Sequence, residues 1–357
     1  MKILCTFAAE KQKNIVKKST TWHMMKIIVD DKIPYIREAL SMITHDVTYL
    51  KGADIRRSDV MDADALIVRT RTRCDESLLA GTKVGFVATA TIGIDHLDTR
   101  WMEKAGIRWV NCPGCNASSV AQYVETSLMS LERDCGLKLK GSTMGIVGYG
   151  HVGRKVRLVG ERLGMRVIVN DPLLDIPGLV SLDDIRRQAD VVTFHVPLTR
   201  DGRHPTWHLA DRSFLMGLSR RGAVVMNTSR GGIVDEKALA DAIGEGVVGQ
   251  VVIDTWENEP DIDLGLLEKA YIATPHIAGY SADGKANASN MVIDALCRHF
   301  GVERPAAIQP PSLPPGFAYS GDPLQLYDPL YDTRRLKASP EGFEDQRGNY
   351  RLRRETC

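Results

Sequence analysis

Three short stretches of this chain carry side chains able to move a proton and hold an anion. "NTSRGGIVDE" supplies Arg230, "IDTWENEP" supplies Glu259 and "TPHIAGYSADGKAN" supplies His276. Each follows an apolar run that reads as a strand: Ala223–Asn227, Val251–Asp254 and Tyr271–Ala273. The three residues therefore fall at the C-terminal ends of strands, where ligands bind in open α/β sheets. Oxidising an alcohol to a ketone needs a base for the hydroxyl proton and a cation for the oxygen functions. A carboxylate beside the base keeps its pKa near working pH. Histidine, arginine and glutamate fit those tasks. Singly, each reads equally well as a core histidine, a surface arginine or a solvated loop glutamate; together they point to chemistry.

The same reaction needs a hydride acceptor, and a second motif provides for one. "MGIVGYGHVG" sets Gly148, Gly150 and Gly153 in G-x-G-x-x-G order, with Val152 inside the motif. An apolar strand precedes it and an amphipathic helix follows. A second strand, "VIVND", ends at Asp171, 23 residues after Gly148. That context is the dinucleotide fingerprint. Gly148 permits the tight turn, Gly150 lets backbone approach a pyrophosphate at the helix N-terminus, and Gly153 lets helix and strand pack closely. Asp171 suits a pair of ribose hydroxyls and repels a 2′-phosphate, so the cofactor read here is NAD rather than NADP.

The elements that must position these groups form a βαβ series over about 300 residues, the pattern of parallel sheets. In the first third the candidate strands are Ile27–Val29, Ala65–Val68, Val84–Ala88 and Arg108–Val110. A helix is predicted from about Ser119 to Cys135. Ser119 and Gln122 have capping-box spacing, Val120, Val124, Leu128 and Leu131 form an apolar stripe, and Gly136 stops it. Further strands are predicted at Met144–Val147, Val167–Asn170 and Val191–His195. The fold class is α/β, with a doubly wound NAD domain over 123–275 and a substrate domain over 24–122 and 276–300. A proline-rich linker, "RPAAIQPPSLPPGF", and a polar, aromatic tail complete the chain over 301–357. The tail lacks a good core of its own, and its recurring Tyr327, Tyr331, Phe343 and Tyr350 favour ordering against a partner subunit over disorder. Residues 1–23 read as an extension outside the fold.

Bulk properties narrow the class. The 357 residues are 43% apolar and 25% charged with a net charge of +1. That lacks the basic excess of a nucleic-acid footprint. No apolar run reaches the roughly 18 residues of a membrane span, the N-terminus is a poor signal peptide, and seven cysteines without a leader point to a reducing cytoplasm. Cys112 and Cys115 have C-x-x-C spacing, but no second ligand pair accompanies them, so no metal site is read there. His204 and His208 are four apart across Pro205, with no glutamate following His204, and are discounted likewise.

A last stretch, "ALIVRTRTRC", runs a buried strand into Arg69, Thr70, Arg71, Thr72 and Arg73. If the strand stays extended, arginines and threonines point to opposite sides. Arg69 and Arg71 are then candidates for binding a carboxylate or phosphate, or they pair with nearby carboxylates.

Together with "GYGHVG", the three chemistry-bearing stretches resemble the D-isomer-specific 2-hydroxyacid dehydrogenase family. "DADALIVRTRT", "ATATIGIDHLD", "PGCNASSVAQYV", "HIAGYSADGKAN" and the closing "FEDQRGNYRLRRE" resemble a branch of it that acts on a phosphorylated hydroxy acid. The resemblance implies a Rossmann-type domain, a flavodoxin-like substrate domain and a small C-terminal dimerisation domain, in a cytoplasmic homodimer. It implies that Arg230, Glu259 and His276 are catalytic and that Thr70, Thr91 and Tyr280 contact substrate. NAD contacts fall on Gly148, Gly150, Val152, Gly153, Asp171, Val196, Thr228, Ser229, Arg230, Asp254 and Gly279. The implied reaction is NAD-dependent oxidation of 4-phospho-D-erythronate at C2, the second step of deoxyxylulose-phosphate-dependent pyridoxal phosphate synthesis. The alternatives are a dehydrogenase of phosphoglycerate or another D-2-hydroxy acid, and an NAD-sensing binding protein.

Overall fold

The computed structural model describes residues 25–355; the extension expected over residues 1–23 lies outside them. Strands β1 (Ile27–Asp30), β2 (Val47–Leu50), β3 (Ala65–Val68), β4 (Phe86–Thr89) and β5 (Arg108–Val110) form a parallel sheet in the order β2-β1-β3-β4-β5. That is the flavodoxin-like order. The inner strands β1, β3 and β4 are buried along their whole length, which is why they read as unbroken apolar runs. Edge strand β2 is half-exposed, and its mixed sequence "VTYL" gave no strand signal.

The second sheet is also parallel. It contains β6 (Thr143–Val147), β7 (Arg166–Asn170), β8 (Val191–Phe194), β9 (Ala223–Asn227), β10 (Val248–Ile253) and β11 (Ile272–Ala273), ordered β11-β10-β9-β8-β6-β7. Its strand order reverses between β6 and β8, the place where open sheets of this kind leave a crevice.

Two long helices carry the chain between the sheets. In Ala117–Cys135, the predicted stripe of Val120, Val124, Leu128 and Leu131 is buried with Met144 and Ile146 of β6. Gly136 ends it in the left-handed region, φ 70°. The helix starts two residues before the predicted cap: Asn116 is the N-cap, and Ser119 and Gln122 are interior and buried. They sit there because their side chains face the C-terminal segment. Ser119 Oγ donates to Glu355, and Gln122 Nε2 donates to the Arg354 carbonyl. The returning helix, Ala282–Phe300, is capped by Ser281 and buries Val292, Ile293 and Leu296 against Ile27 and Phe86 of the first sheet.

The C-terminal segment, expected to order against a partner subunit, also packs on its own chain. Tyr327, Leu336 and Phe343 are buried in the cores that flank the second sheet. Full burial of such a side chain is worth about 1.5–3 kcal/mol. The helix Pro329–Ala338 covers the sheet edge, and Thr333 accepts the β11 amide of Ala273 at 3.1 Å. An edge strand would otherwise leave that amide unpaired. Arg353 then enters the interior. Its guanidinium donates to the carbonyls of Ile277 (3.1 Å), Tyr280 (3.0 Å), Ser119 (3.2 Å) and Ala278 (2.6 Å), and to Gln122 Oε1 (3.1 Å). Those acceptors lie on both connections between the sheets.

Removing a donor from several buried carbonyls costs about 1–3 kcal/mol for each left unsatisfied. Arg353→Met is therefore expected to destabilise the chain by about 3 kcal/mol or more. Arg353→Lys should recover only part of this, because an ammonium lacks the planar five-donor fork. Urea unfolding checks this, and an unchanged midpoint in the methionine variant would contradict it.

Candidate active site

The C-terminal strand ends of the two sheets face each other. A Cβ built on Gly93, in the loop after β4, would come 2.9 Å from Arg230 Nη2, in the loop after β9. Asn227, the last residue of β9, shapes that second loop. Its Oδ1 accepts from Ser229 N (3.2 Å) and Ser229 Oγ (2.9 Å), and its Nδ2 donates to the Arg230 carbonyl (2.9 Å). Gly231 lets this loop press on the next one: a Cβ there would fall 1.7 Å from the Trp256 carbonyl oxygen.

The loop after β10 carries Glu259, which accepts the Trp256 amide at 3.0 Å. His276, after β11, approaches from the other side, with Nδ1 2.8 Å from Glu259 Oε2. His276 has φ 56°, and its amide is held by the carbonyls of Asp254 (2.8 Å) and Thr274 (3.0 Å). Burial pushes the Glu259 carboxyl up, but the His276 bond and charge, the Trp256 amide and Arg347 outweigh it and hold the group below its ordinary value. Glu259 is thus an anion beside the imidazole. The side chains of His276 and Glu259 remain 25% and 17% exposed, enough for a small molecule to reach the ring.

The dinucleotide motif lies at the switch point. Gly148, φ 96°, closes on β8, where a Cβ would fall 2.5 Å from the His195 carbonyl oxygen. A Cβ on Gly153 would fall 2.0 Å from the Gly148 carbonyl oxygen, so only glycine allows this helix–turn approach. A Cβ on Gly150 would meet no atom within 4 Å. Gly150 is the N-cap of the helix His151–Arg162, whose first amides receive no side-chain cap and stay available for an anion. Asp171 follows β7 and accepts the Tyr149 amide (2.8 Å) and the Leu173 amide (3.1 Å), which places its carboxylate at the rim of the motif. Val152 is in the helix's first turn, Val196 follows β8, and Thr228 and Ser229 follow β9. These residues fit a dinucleotide.

Asp254 is deeper. Its carboxylate is buried and accepts from Thr274 Oγ1 (2.7 Å), Ile277 N (2.7 Å) and Ala278 N (2.9 Å), fixing the loop that carries His276. Gly279 stands against Asn116, where a Cβ would come 2.0 Å from Nδ2. Thr91 Oγ1 lies 2.7 Å from Thr89 Oγ1 and donates to the Gly93 carbonyl (3.0 Å), on the face opposite Arg230. Thr70 is exposed just beyond β3.

The alternation in "RTRTR" is not a strand. β3 ends at Val68, and the chain turns, with the Thr72 amide reaching the Arg69 carbonyl. Each arginine meets a carboxylate instead. Arg69 pairs with buried Asp30 at 3.2 Å, Arg71 with Glu344 of the C-terminal segment, and Arg73 with Asp75 at 2.8 Å. Of the two readings of Arg71, pairing with a carboxylate is the one this structure shows. Thr72 is buried and donates to the Gly52 carbonyl. Cys112 and Cys115 are free, buried thiols, both pushed up by burial. Among the described residues no group of three or more His, Cys, Asp or Glu could hold a metal ion.

Two side chains of the site were not predicted. Lys285 Nζ lies 4.0 Å from the centre of the Tyr280 ring, and Arg347 Nη1 lies 3.7 Å from Glu259 Oε2. Lys285 was visible only as part of "ADGKAN", and Arg347 comes from a segment distant in sequence.

The model of the D-isomer specific 2-hydroxyacid dehydrogenase NAD-binding domain matches residues 116–278. An erythronate-4-phosphate dehydrogenase of Bacteroides fragilis is 52% identical over 339 residues, covering 93% of this chain and 97% of its own. Among solved structures, a protein from Thermus thermophilus is similar at TM-score 0.66 and 26% identity, over 80% of this chain and 100% of its own. NAD-bound 3-phosphoglycerate dehydrogenase of Entamoeba histolytica is similar at TM-score 0.65 and 27% identity, over 78% of this chain and 95% of its own. With its two parallel sheets and its dinucleotide crevice, the chain belongs to the erythronate-4-phosphate dehydrogenase family, a branch of the D-isomer specific 2-hydroxyacid dehydrogenases.

Proposed function

We propose that this chain catalyses the NAD-dependent oxidation of 4-phospho-D-erythronate at C2, giving the 2-oxo acid phosphate, the second step of deoxyxylulose-phosphate-dependent pyridoxal phosphate synthesis. The observation that carries the reading is the His276–Glu259 pair, 2.8 Å apart, in the cleft that Arg230 reaches from the neighbouring loop. Relatives named for this substrate support it.

The roles follow from the geometry. His276 Nδ1 lies 2.8 Å from Glu259 Oε2, and with Nδ1 donating to that carboxylate, Nε2 is left to act on the substrate. Nε2 takes the C2 hydroxyl proton. Glu259, an anion fixed by the Trp256 amide, stabilises the imidazolium that forms. The guanidinium of Arg230 is a planar fork suited to the C1 carboxylate and the C2 oxygen, where negative charge builds as the proton leaves. Thr70, Thr91 and Tyr280 line the substrate side. The turn from Gly148 to Gly153, with Asp171, Val196, Thr228, Ser229, Asp254 and Gly279, would hold NAD. NAD held there would supply the acceptor for the C2 hydride, while His276 takes the C2 hydroxyl proton and Arg230 holds the oxygen that becomes the ketone.

Cytoplasmic location and a homodimer built through the C-terminal segment belong to the same reading. No helix among the described residues is long and apolar enough to cross a membrane. Phe317 and Tyr331, on that segment, are 38% and 58% exposed, as aromatic contacts for a second copy would be.

Three measurements test the reading. Loss of a positioned general base costs about 10²–10⁴-fold. His276→Ala should therefore lose kcat by that factor and Glu259→Gln by a smaller one, with NADH affinity kept in both; unchanged turnover in His276→Ala would overturn the assignment. Because Asp171 repels a 2′-phosphate, NADP should be used at least about 100-fold less efficiently than NAD. Asp171→Ala should narrow that gap through KM, and equal use of both cofactors by the unaltered enzyme would refute the role of Asp171. Sedimentation should give twice the chain mass, and Tyr331→Glu should shift it toward the monomer; a monomeric unaltered protein would remove the dimer from the proposal.

A further inference from the structure

The cleft holds more positive charge than the transfer of a proton and a hydride requires. Tyr280, four residues after His276, is its centre. Lys285 lies over the ring, with Nζ 4.0 Å from the centroid. Arg347 interacts with the Tyr280 hydroxyl from the helix Phe343–Gly348, and Arg69 acts on the same group. Burial pushes the Tyr280 phenol up, but Lys285 and Arg347 outweigh it and leave the group below its ordinary value. Burial likewise pulls the Lys285 ammonium below its ordinary value, and Arg69 and Arg347 add to the effect against Tyr280. Cations crowded in this way gain from a bound anion.

The neighbouring carboxylates satisfy that demand only in part. Arg69 is committed to Asp30, and Arg71 to Glu344. Arg347 stands 3.7 Å from Glu259 and 3.6 Å from Glu344, beyond hydrogen-bond length for both. Lys285 makes no ion pair among the described residues. Lys285, which has no ion pair among these residues, and Arg347, whose two ion pairs are both long, are therefore the charges best placed to take up a ligand. A phosphate monoester, with a charge of about −1.5 to −2 and three acceptor oxygens, matches them.

The position of Arg347 in the chain adds a second line of argument. The family's NAD-domain model ends at residue 278, and the two solved structures described above are almost fully matched by about four fifths of this chain. Arg347 belongs to the segment that follows. That segment is locked to the site by Arg353 on the carbonyls of Ile277, Ala278 and Tyr280, and by Arg71 on Glu344. Arg347 Nη1 is also beside the Glu259 oxygen that His276 uses, so the cation is fixed relative to the reacting end.

We propose that Arg347 and Lys285 are the phosphate-binding and specificity-determining residues of this site, so that the C-terminal segment carries the selection of a phosphorylated hydroxy acid over an unphosphorylated one. The inference rests on the function proposed above. Its test is the ratio of kcat/KM for 4-phospho-D-erythronate to that for unphosphorylated D-erythronate. In Arg347→Met the ratio should fall about 100-fold, mainly through KM of the phosphorylated acid, as expected for loss of a charge-assisted contact. Arg347→Lys should restore part of it, and Lys285→Met should lower the ratio at least about tenfold. NADH affinity, followed by fluorescence, should stay within about twofold in all three and confirms that they are folded. If both substrates lose efficiency by the same factor in Arg347→Met, the residue only positions Glu259 and the proposal is overturned. If the unaltered enzyme turns over neither acid, the proposed function fails instead. Calorimetric titration with inorganic phosphate in the presence of NAD then decides the site: binding lost in Arg347→Met supports it, and equal binding in both proteins refutes it.

Discussion

One buried guanidinium ties this molecule together. Arg353 comes from the end of the chain and donates to carbonyls on both connections between the sheets: Ser119 on the outward one, and Ile277, Ala278 and Tyr280 on the return. A charge this deep is tolerated only when all its donors are used, and Arg353 uses them on backbone that would itself be unsatisfied. Glu355 reinforces the junction by accepting from Ser119 Oγ and Ser281 Oγ, both at 2.7 Å. The placement of the His276 loop, the start of both long helices and the docking of the tail all depend on these contacts.

The His276 loop is held from two directions. Asp254 grips it from the core through the amides of Ile277 and Ala278, and Arg353 grips it from the tail through carbonyls of the same residues. Amides thus turn toward an acid and carbonyls toward a base, and the left-handed His276 lies between them. Strain of this kind persists where the surroundings over-determine the backbone. The result is a ring whose Nδ1 meets Glu259.

Neighbouring loops divide the remaining work. Gly231 allows the Arg230 loop to rest on Trp256, whose amide fixes Glu259. The loops that carry Arg230 and Glu259 are therefore linked through one tryptophan backbone. Half-buried His195, just after β8, is pushed down to about 3 by desolvation. It stays neutral, with its Nε2 3.0 Å from Thr193 Oγ1.

What the sequence alone determined follows from local rules. Apolar runs between glycine-rich turns specify buried parallel strands, and glycine spacing specifies a helix N-terminus open to a pyrophosphate, because both depend on neighbours a few residues away. Arg230, Glu259 and His276 were legible for the same reason: each lies in the loop that follows a recognisable strand. Edge strand β2 was not, since a half-exposed strand carries no clean pattern. Nor was the start of the helix at Ala117, because Ser119 and Gln122 mimic a cap while serving contacts more than 200 residues away. Only the tertiary structure decided that "RTRTR" is a turn whose arginines are taken by carboxylates, that the tail packs on its own chain, and that Lys285 and Arg347 join Tyr280. Charge pairing across hundreds of residues depends on distance in space, and no periodicity along the chain encodes it.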